Sequence, residues 1–251
     1  MCSWKKPLAD TAEHAESLCE LAQRTGLVLM VGHIFVYNAA ARRAKEYIGE
    51  GELGRVYYIS MERTNLGPIR VDVNAAWDLA AHDVSLASYW LNGDPLTASA
   101  VGGAWINPGV EDAVFATLCY PGDVFVHLHA SWLNPRKSRA ITVVGERRML
   151  TFDDVNLSEL PRIYDKKVRD ERIGVPFVDT FASFRMSVRE GDIVIPRAQM
   201  TELLKAEANH FLECVQQEKR PLSSGAEGLA VVRTLEAIGR SLAAGGAQIR
   251  V

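Results

Sequence analysis

The sequence predicts a mixed α/β protein in which one strand–helix–strand unit precedes a large, mostly antiparallel sheet with flanking helices. The first residues combine a helical pattern with a continuous apolar run of strand length. The middle of the chain carries short apolar runs separated by turn residues, which are typical of hairpins. Two long amphipathic patterns near the end of the chain predict helices. Together these observations indicate the α+β variety of the α/β class.

The strand–helix–strand unit occupies residues 1–32. Asp10-Thr11-Ala12-Glu13 has the order of a capping box, with Asp10 as the short polar N-cap. Apolar residues then recur at helical spacing up to Gly26, which ends the predicted helix. Leu27–Gly32 is continuously apolar, as is typical of a strand covered on both faces in a parallel sheet.

The remaining patterns predict two helices among the first strands, then a run of hairpins, then two final helices. In the first of these strands, Val56, Tyr58 and Ser60 share one face because side chains alternate along a strand. Residues 153–200 are irregular and rich in charge. The predicted elements are helices over 38–49 and 79–91, a strand over 55–63, a loop over 65–74, strands over 97–104, 112–120, 124–132, 139–144 and 149–152, and helices over 201–217 and 224–243.

The composition argues against several classes of partner. The 251 residues are 48% hydrophobic and carry a net charge of −3 without a long block of either sign, so neither nucleic acid nor an anionic membrane is indicated. No apolar run approaches the ~18 residues of a membrane span, and the first residues lack the pattern of a signal peptide. Cys2, Cys19, Cys119 and Cys214 form no C-x-x-C motif, so we expect reduced thiols in a cytoplasmic protein and no structural zinc.

Asp78 and His82 are the first candidate catalytic groups. They are four residues apart, so a helix would place them on one face. A histidine is the usual general base for an alcohol, and a neighbouring carboxylate can fix its tautomer. The alternative is that Asp78 only caps the helix and His82 is a core histidine.

Lys6 is the second candidate. Pro7 biases the preceding residue towards extended geometry, so Lys6 would stand at a strand end, where ligands of α/β proteins gather. The alternative is a solvated lysine.

His127 and His129 share one face of a strand and could hold a metal, but no third ligand follows at a recognisable spacing. A sheet surface or subunit contact is the favoured interpretation, and we predict no metal.

Several short motifs have an order and spacing that resemble one protein family. Together they resemble the glucose-fructose oxidoreductase/inositol dehydrogenase/MocA family, and within it the sugar and nucleotide-sugar dehydrogenases. The resemblance covers essentially the whole chain. The motifs are Lys6-Pro7-Leu8-Ala9, Val31-Gly32-His33, Gly51-Glu52-Leu53-Gly54, Trp77-Asp78 with His82-Asp83, and Gly191-Asp192-Ile193-Val194-Ile195-Pro196.

The resemblance implies two domains. Members of the family have an N-terminal Rossmann domain that ends in a Glu-Lys-Pro strand, and a C-terminal α/β domain whose open sheet often mediates oligomers. Residues 1–32 would then be the remnant of the Rossmann domain, and residues 33–251 the substrate-binding and oligomerisation domain. A sugar or nucleotide-sugar substrate and a homo-oligomer are implied.

The resemblance also implies roles for individual residues. His82 would take the proton from a sugar hydroxyl while the adjacent carbon gives hydride to NAD or NADP. Lys6 would hydrogen-bond the same oxygen and stabilise negative charge there, and Asp78 would orient the site. Lys6, Pro7 and His33 would contact the cofactor.

Tyr37, Arg63 and Asn65 are the candidate substrate contacts, because each follows an element that leads into the expected cleft. An arginine there would suit a carboxylate or phosphate on the sugar.

The sequence departs from the family ahead of Lys6. A mononucleotide-binding half needs several strand–helix repeats of roughly 30 residues each, whereas five residues precede Lys6. We therefore expect a truncated dehydrogenase that, as written, binds a dinucleotide poorly and is inactive without its cofactor domain. The alternatives are a non-enzymatic sugar-binding or oligomerisation subunit and, more remotely, a metal-dependent hydrolase or isomerase that uses His127 and His129.

We predict that titration of the 251-residue chain with NADH or NADPH gives no saturable change in cofactor fluorescence. The reason is that no glycine turn between a strand and a helix precedes Lys6 to hold the pyrophosphate. A dissociation constant in the micromolar range would contradict this expectation.

Overall fold

One large sheet organises the part of the chain that the computed structural model describes, namely residues 2–4, 6–155, 161–165, 167–168, 188–189, 191–196 and 202–251. In chain order the elements are β1 (Cys2–Trp4), α1 (Ala12–Thr25), β2 (Leu29–Val31), a 3₁₀ turn (Ile34–Tyr37), α2 (Ala39–Gly49), β3 (Val56–Leu66), a π-helical turn (Ala76–Ala80), α3 (Ala81–Leu91), β4 (Thr97–Gly103), β5 (Ala113–Tyr120), β6 (Val124–Ser131), β7 (Leu133–Gly145), β8 (Met149–Asp153), β9 (Arg162–Tyr164), β10 (Lys167–Val168), β11 (Val188–Arg189), β12 (Ile193–Val194), α4 (Leu203–Gln217), α5 (Gly225–Ala243) and β13 (Ile249–Arg250).

Nine of the described strands form the large sheet, in the order β12-β9-β8-β7-β3-β6-β5-β4-β13. Neighbouring strands are antiparallel except β3 and β6, which are parallel. The predicted mostly antiparallel sheet is therefore confirmed. Within the stretch predicted to be irregular, the described residues include the short strands β9 to β12, and the two-residue strand β13 was also missed.

The predicted strand–helix–strand unit is confirmed, since β1 and β2 form a separate parallel pair flanking α1. Gly26 ends α1 in a left-handed conformation, with φ 66°. The predicted N-cap was wrong by one residue. Thr11 is the extended residue whose hydroxyl accepts a hydrogen bond from the His14 backbone N–H, while the Asp10 carboxylate contacts the His14 ring at 2.7 Å.

The hydrophobic core lies between α2, α3 and α5 and one face of the sheet, here called the inner face. Side chains of β5 alternate as the pleat requires: Ala116 and Leu118 are buried on the inner face, whereas Phe115 is exposed on the outer face. Trp90 in α3 donates its indole N–H to the carbonyl of Ala41 in α2 at 2.9 Å, so this buried ring leaves no polar atom unpaired. In the described ranges, none of the helices has the length and apolar character that crossing a bilayer requires.

The start of β3 contains an irregularity that the alternating sequence pattern did not reveal. The pairing register with β7 shifts between Val56 and Tyr58, which indicates a β-bulge. Beyond this shift the buried side chains are Ile59 and Met61, and Tyr58 is 46% exposed. The prediction that Val56, Tyr58 and Ser60 share one face was wrong, because a bulge reverses the alternation downstream of it.

A second register shift lies near the other end of the β3–β7 pair. Thr64 pairs with Ser138, and Leu66 pairs with Leu133, so β7 advances five residues where β3 advances two. Residues 134–137, which lie between these two pairs and opposite Asn65, form a protrusion that we call the β7 bulge. It lies before the predicted start of β7 at residue 139, and β3 likewise continues through Asn65 and Leu66, which were predicted to be loop.

The helix predicted over 79–91 begins with a wider turn. Ala76–Ala80 is π-helical and runs directly into α3, which ends at Asn92 in a left-handed conformation. Asp78 lies inside the π-helical turn, and the residue that caps it, Ala75, makes no side-chain capping bond. The interpretation of Asp78 as a helix cap is therefore contradicted. Turns of this type are frequent at functional sites.

The bulge at Tyr58 predicts an unequal effect of two neighbouring substitutions. Ile59→Ala removes a fully buried side chain and should lower the free energy of unfolding by roughly 2–5 kcal/mol. Tyr58→Ala removes a larger but half-exposed side chain and should lower it by less than about 1 kcal/mol. Urea denaturation of both variants measures the difference, and a larger loss for Tyr58→Ala would contradict the observed register.

Candidate active site

A cavity of about 300 Å³ brings together the three candidate catalytic residues, Lys6, Asp78 and His82. It lies between the segment after β1, the π-helical turn, the end of β3 and the β7 bulge. Its lining residues are Lys6, Ile34, Phe35, Arg63, Thr64, Asn65, Asp78, Leu79, His82, Lys137, Ser138 and Arg139.

Lys6 joins the first unit of the chain to the π-helical turn. Its ammonium group donates a hydrogen bond to the backbone carbonyl of Asp78 and lies 3.8 Å from the Asp78 carboxylate. With 25% of its side chain exposed, Lys6 is not a freely solvated lysine. Burial lowers the pKa of Lys6, the Asp78 charge opposes that shift, and the charge of Arg63 adds to it.

Asp78 is held by groups other than His82. One carboxylate oxygen accepts from the Arg70 guanidinium at 3.3 Å, and the other accepts from the Trp132 indole N–H at 3.1 Å. No hydrogen bond between Asp78 and His82 occurs in the described part of the chain. The expectation that this carboxylate fixes the His82 tautomer is not met, and its contacts position Lys6 instead.

His82 is poised as a neutral imidazole. Its Nδ1 is buried without a hydrogen-bond partner, while the residue keeps some accessible surface and lines the cavity. The ring packs edge-on against Phe35, with centroids 4.9 Å apart. Burial lowers the pKa of His82 well below its usual value, and the charges of Lys6 and Arg63 lower it further. A neutral imidazole at neutral pH can accept a proton.

His33 and Pro7, the other candidate cofactor contacts, do not line this cavity. His33 is 1% exposed, and neither ring nitrogen has a hydrogen-bond partner. Burial, followed by the charge of Lys6, lowers the pKa of His33 to about 4. Pro7 borders a larger cavity of about 970 Å³, which also contacts Trp77. The smaller cavity is the stronger candidate, because the buried groups with displaced pKa values converge there.

The three candidate substrate contacts differ in their placement. Arg63 and Asn65 line the cavity, but two nitrogens of Arg63 bind one Asp83 oxygen at 2.9 and 2.6 Å, and both side chains are almost fully buried. Tyr37 lies outside the lining, and its hydroxyl pairs with that of Ser223 at 2.8 Å. The structure therefore brings two of the three to the site.

Three lining residues, Lys137, Ser138 and Arg139, were missed from the sequence as site residues. Lys137 lies in the β7 bulge, and Ser138 and Arg139 follow it where β7 pairs regularly with β3. The basic run Arg136-Lys137-Ser138-Arg139 could have signalled an anion-binding surface, but only with knowledge of the bulge. Arg139 donates to Asp154 at 2.9 Å.

The described residues do not form a pyrophosphate cradle. Gly49-Glu50-Gly51-Glu52-Leu53-Gly54 has the spacing G-x-G-x-x-G, but a dinucleotide-binding turn leads from a strand into a helix N-terminus. Here the order is reversed, because α2 ends at Gly49 and β3 begins at Val56. The connection from β1 to α1 contains no glycine. Neither of these two connections therefore has the arrangement that holds a dinucleotide's phosphates.

The outer-face histidines do not form a metal site with other described side chains. His127 and His129 both point to the outer face of β6, as predicted from their alternation. His129 stacks on Phe115 with centroids 4.3 Å apart and lies 3.8 Å from Glu62. In the described ranges, no group of three or more His, Cys, Asp or Glu side chains could hold a metal ion.

The overall fold, with its large open sheet, is shared with solved oxidoreductase structures. The solved structure of aldose-aldose oxidoreductase from Caulobacter crescentus, complexed with glycerol, superimposes with a TM-score of 0.80 at 17% identity. The match covers 99% of this chain and 71% of that one. This likeness defines the fold.

Sequence comparison finds one matching family model and several dehydrogenase relatives. Residues 41–151 match the family model of the GFO/IDH/MocA C-terminal domain. D-xylose 1-dehydrogenase [NADP(+)] of Haloarcula marismortui is 24% identical over 253 residues, covering 93% of this chain and 63% of the relative. UDP-N-acetylglucosamine 3-dehydrogenase of Acidithiobacillus ferrooxidans is 26% identical over 156 residues, covering 62% and 48%. The chain is thus similar to the GFO/IDH/MocA family over residues 41–151, and it spans less than two thirds of either relative.

The buried neutral histidines predict a loss of stability in mild acid. The pKa of His33 is about 4 in the folded protein and about 6.5 when unfolded, so the unfolded state binds its proton first as pH falls. His33 should therefore lower the free energy of unfolding by about 2 kcal/mol between about pH 7 and pH 5. Urea denaturation across this range measures the slope. His33→Asn should flatten it, and an unchanged slope would contradict the assignment.

Proposed function

We propose that this chain carries the substrate site of an NAD(P)-dependent oxidoreductase that acts on a hydroxyl of a sugar, sugar acid or nucleotide sugar. The observation that carries the proposal is the convergence of Lys6 and the neutral His82 on one cavity. One group can stabilise negative charge on an oxygen, and the other can accept its proton. The dehydrogenase relatives support the same chemistry.

In the proposed reaction, His82 accepts the proton of the substrate hydroxyl as the carbon–oxygen single bond becomes a carbonyl. The Lys6 ammonium stabilises the negative charge that develops on that oxygen. Asp78 is the positioning residue, because its backbone carbonyl and carboxylate both hold Lys6. When bound, NAD or NADP supplies the acceptor for the hydride that leaves the carbon.

The burial of these groups favours an enzyme over a purely binding or assembly subunit. A histidine with a buried, unpaired ring nitrogen and a desolvated lysine both destabilise the folded state. Sugar binding alone needs neither, whereas removal of a hydroxyl proton needs a neutral base, and an adjacent cation stabilises the negative charge left on the oxygen. The non-enzymatic alternative has no comparable observation in its favour.

We further propose that residues 1–32 belong with the cofactor-binding domain and residues 33–251 form the substrate domain. The separate β1–β2 sheet supports this division. Lys6, Pro7 and His33 would contact NAD or NADP from its reacting end.

We also propose a cytoplasmic homo-oligomer that associates through the outer face of the sheet. Exposed Tyr58, Phe115 and Phe125 form apolar surface there, of the kind that marks interaction sites. Cys19, Cys119 and Cys214 are free thiols, in keeping with a reducing compartment.

The role of His82 predicts a large loss of turnover on substitution. His82→Ala should lower kcat at least roughly 100-fold, with little change in KM, because a general base acts in the transition state. The assay follows the absorbance of reduced cofactor with D-xylose, scyllo-inositol and UDP-N-acetylglucosamine at millimolar NAD or NADP. His14→Ala, at an exposed position on α1, is the control.

Because the described residues lack a pyrophosphate cradle and the 251-residue chain is expected to bind the dinucleotide poorly, this assay is made on the longest product of the gene. Reading the coding DNA upstream of Met1 in frame shows whether a strand, a G-x-G-x-x-G turn and a helix precede it. Unchanged turnover of His82→Ala would overturn its role. A stop codon upstream, together with no oxidation of any of these substrates, would overturn the proposed function.

A further inference from the structure

The β7 bulge is a built feature of the cavity wall. Asn134 accepts a hydrogen bond from the Arg136 backbone N–H at 2.9 Å, and Thr64 donates its hydroxyl to the Arg136 carbonyl at 3.1 Å. The second bond ties the protrusion back to β3. Bulges beside active sites commonly redirect a side chain, and here the residue redirected over the cavity is Lys137.

Among the cations that line the cavity, Lys137 differs from the other three in having no carboxylate partner in the described part of the chain. Each of the other three lining cations has a carboxylate partner: Lys6 contacts Asp78, Arg63 binds Asp83, and Arg139 binds Asp154. For Lys137, no hydrogen bond or ion pair is found within the described ranges of the chain. The cavity therefore has a surplus positive charge at an exposed position on its rim.

We propose, on the basis of the proposed function, that Lys137 on the β7 bulge binds the oxyanion of an acidic substrate, a carboxylate or a phosphate. Its ammonium is exposed and unpaired, so binding does not require breaking an existing ion pair. Arg139 and Arg63 lie behind it and add positive potential, although their own partners hold them in place. Arg63, the sequence-based candidate for this role, serves as a fixed cation behind the site.

The same contact would favour the proposed chemistry. The charges of Lys6, Arg63 and Arg139 depress the pKa of His82 beyond the effect of burial. An oxyanion bound at Lys137 would offset part of that positive potential and raise the proton affinity of His82. An acidic substrate would thus strengthen the base that acts on its own hydroxyl, and a neutral sugar would not.

Equilibrium binding to the whole chain without cofactor tests the proposal. Isothermal titration calorimetry with D-glucuronate, glucose 1-phosphate and neutral D-glucose compares a carboxylate, a phosphate and no charge. D-glucuronate or glucose 1-phosphate should bind more tightly than D-glucose. Lys137→Gln should weaken the tighter anion about five- to tenfold and change D-glucose binding by less than about twofold.

Two matched variants complete the test. Lys137→Arg keeps the charge and should retain anion affinity within about threefold. Lys219→Gln removes the same charge from an exposed position outside the lining, and should leave all affinities unchanged. Equal binding of charged and neutral sugars, or wild-type anion affinity in Lys137→Gln, would overturn the proposal.

Failure of the anion site and failure of the proposed function give different results. Anion binding that depends on Lys137, together with no turnover by the longest product of the gene, would support the Lys137 site and overturn the proposed function. Oxidation of neutral sugars alone, unaffected by Lys137→Gln, would support the proposed function and overturn the Lys137 site.

Discussion

The buried ion pair between Arg63 and Asp83 determines where the candidate site can be. It joins β3 to α3 beneath the cavity, and both side chains are almost completely shielded from water. Removal of one partner from such a pair costs roughly 3–5 kcal/mol, because the other charge is left buried and uncompensated. The pair therefore fixes α3 against the sheet. His82 is the neighbour of Asp83 in sequence, so its position depends on the same contact.

Much of the fold follows from local sequence pattern. The helical spacing before Gly26, the capping residue Asn38 and the left-handed Asn92 all lie at element ends that the sequence predicts. The two register shifts of β3 and β7 could not be predicted in this way, because an alternating pattern does not show where one strand has extra residues. The faces assigned to Tyr58 and Ser60, and the missed role of Lys137, share this physical cause.

The sequence predicted which residues belong to the candidate site better than it predicted the contacts that those residues make. Lys6, Asp78 and His82 were expected near one another, and they line one cavity. The partners of Asp78 were not foreseeable, because Trp132 and Arg70 reach it from distant parts of the sequence. The glycines of Gly49–Gly54 have the spacing of a phosphate-binding turn. They do not form one, because a helix precedes them and a strand follows, which is the opposite order.

The parallel pairing of β3 with β6 has a consequence for how the chain reaches this structure. β3 lies between β6 and β7, and Tyr58 pairs with Phe125 on one side and Val144 on the other. Neither neighbour exists when β3 leaves the ribosome, so the central strand must wait until the chain has been synthesised through Val144. Closure of such long loops slows folding. Hairpins such as β5–β6 and β7–β8 can pair early, and insertion of β3 between them completes both the sheet and the cavity wall.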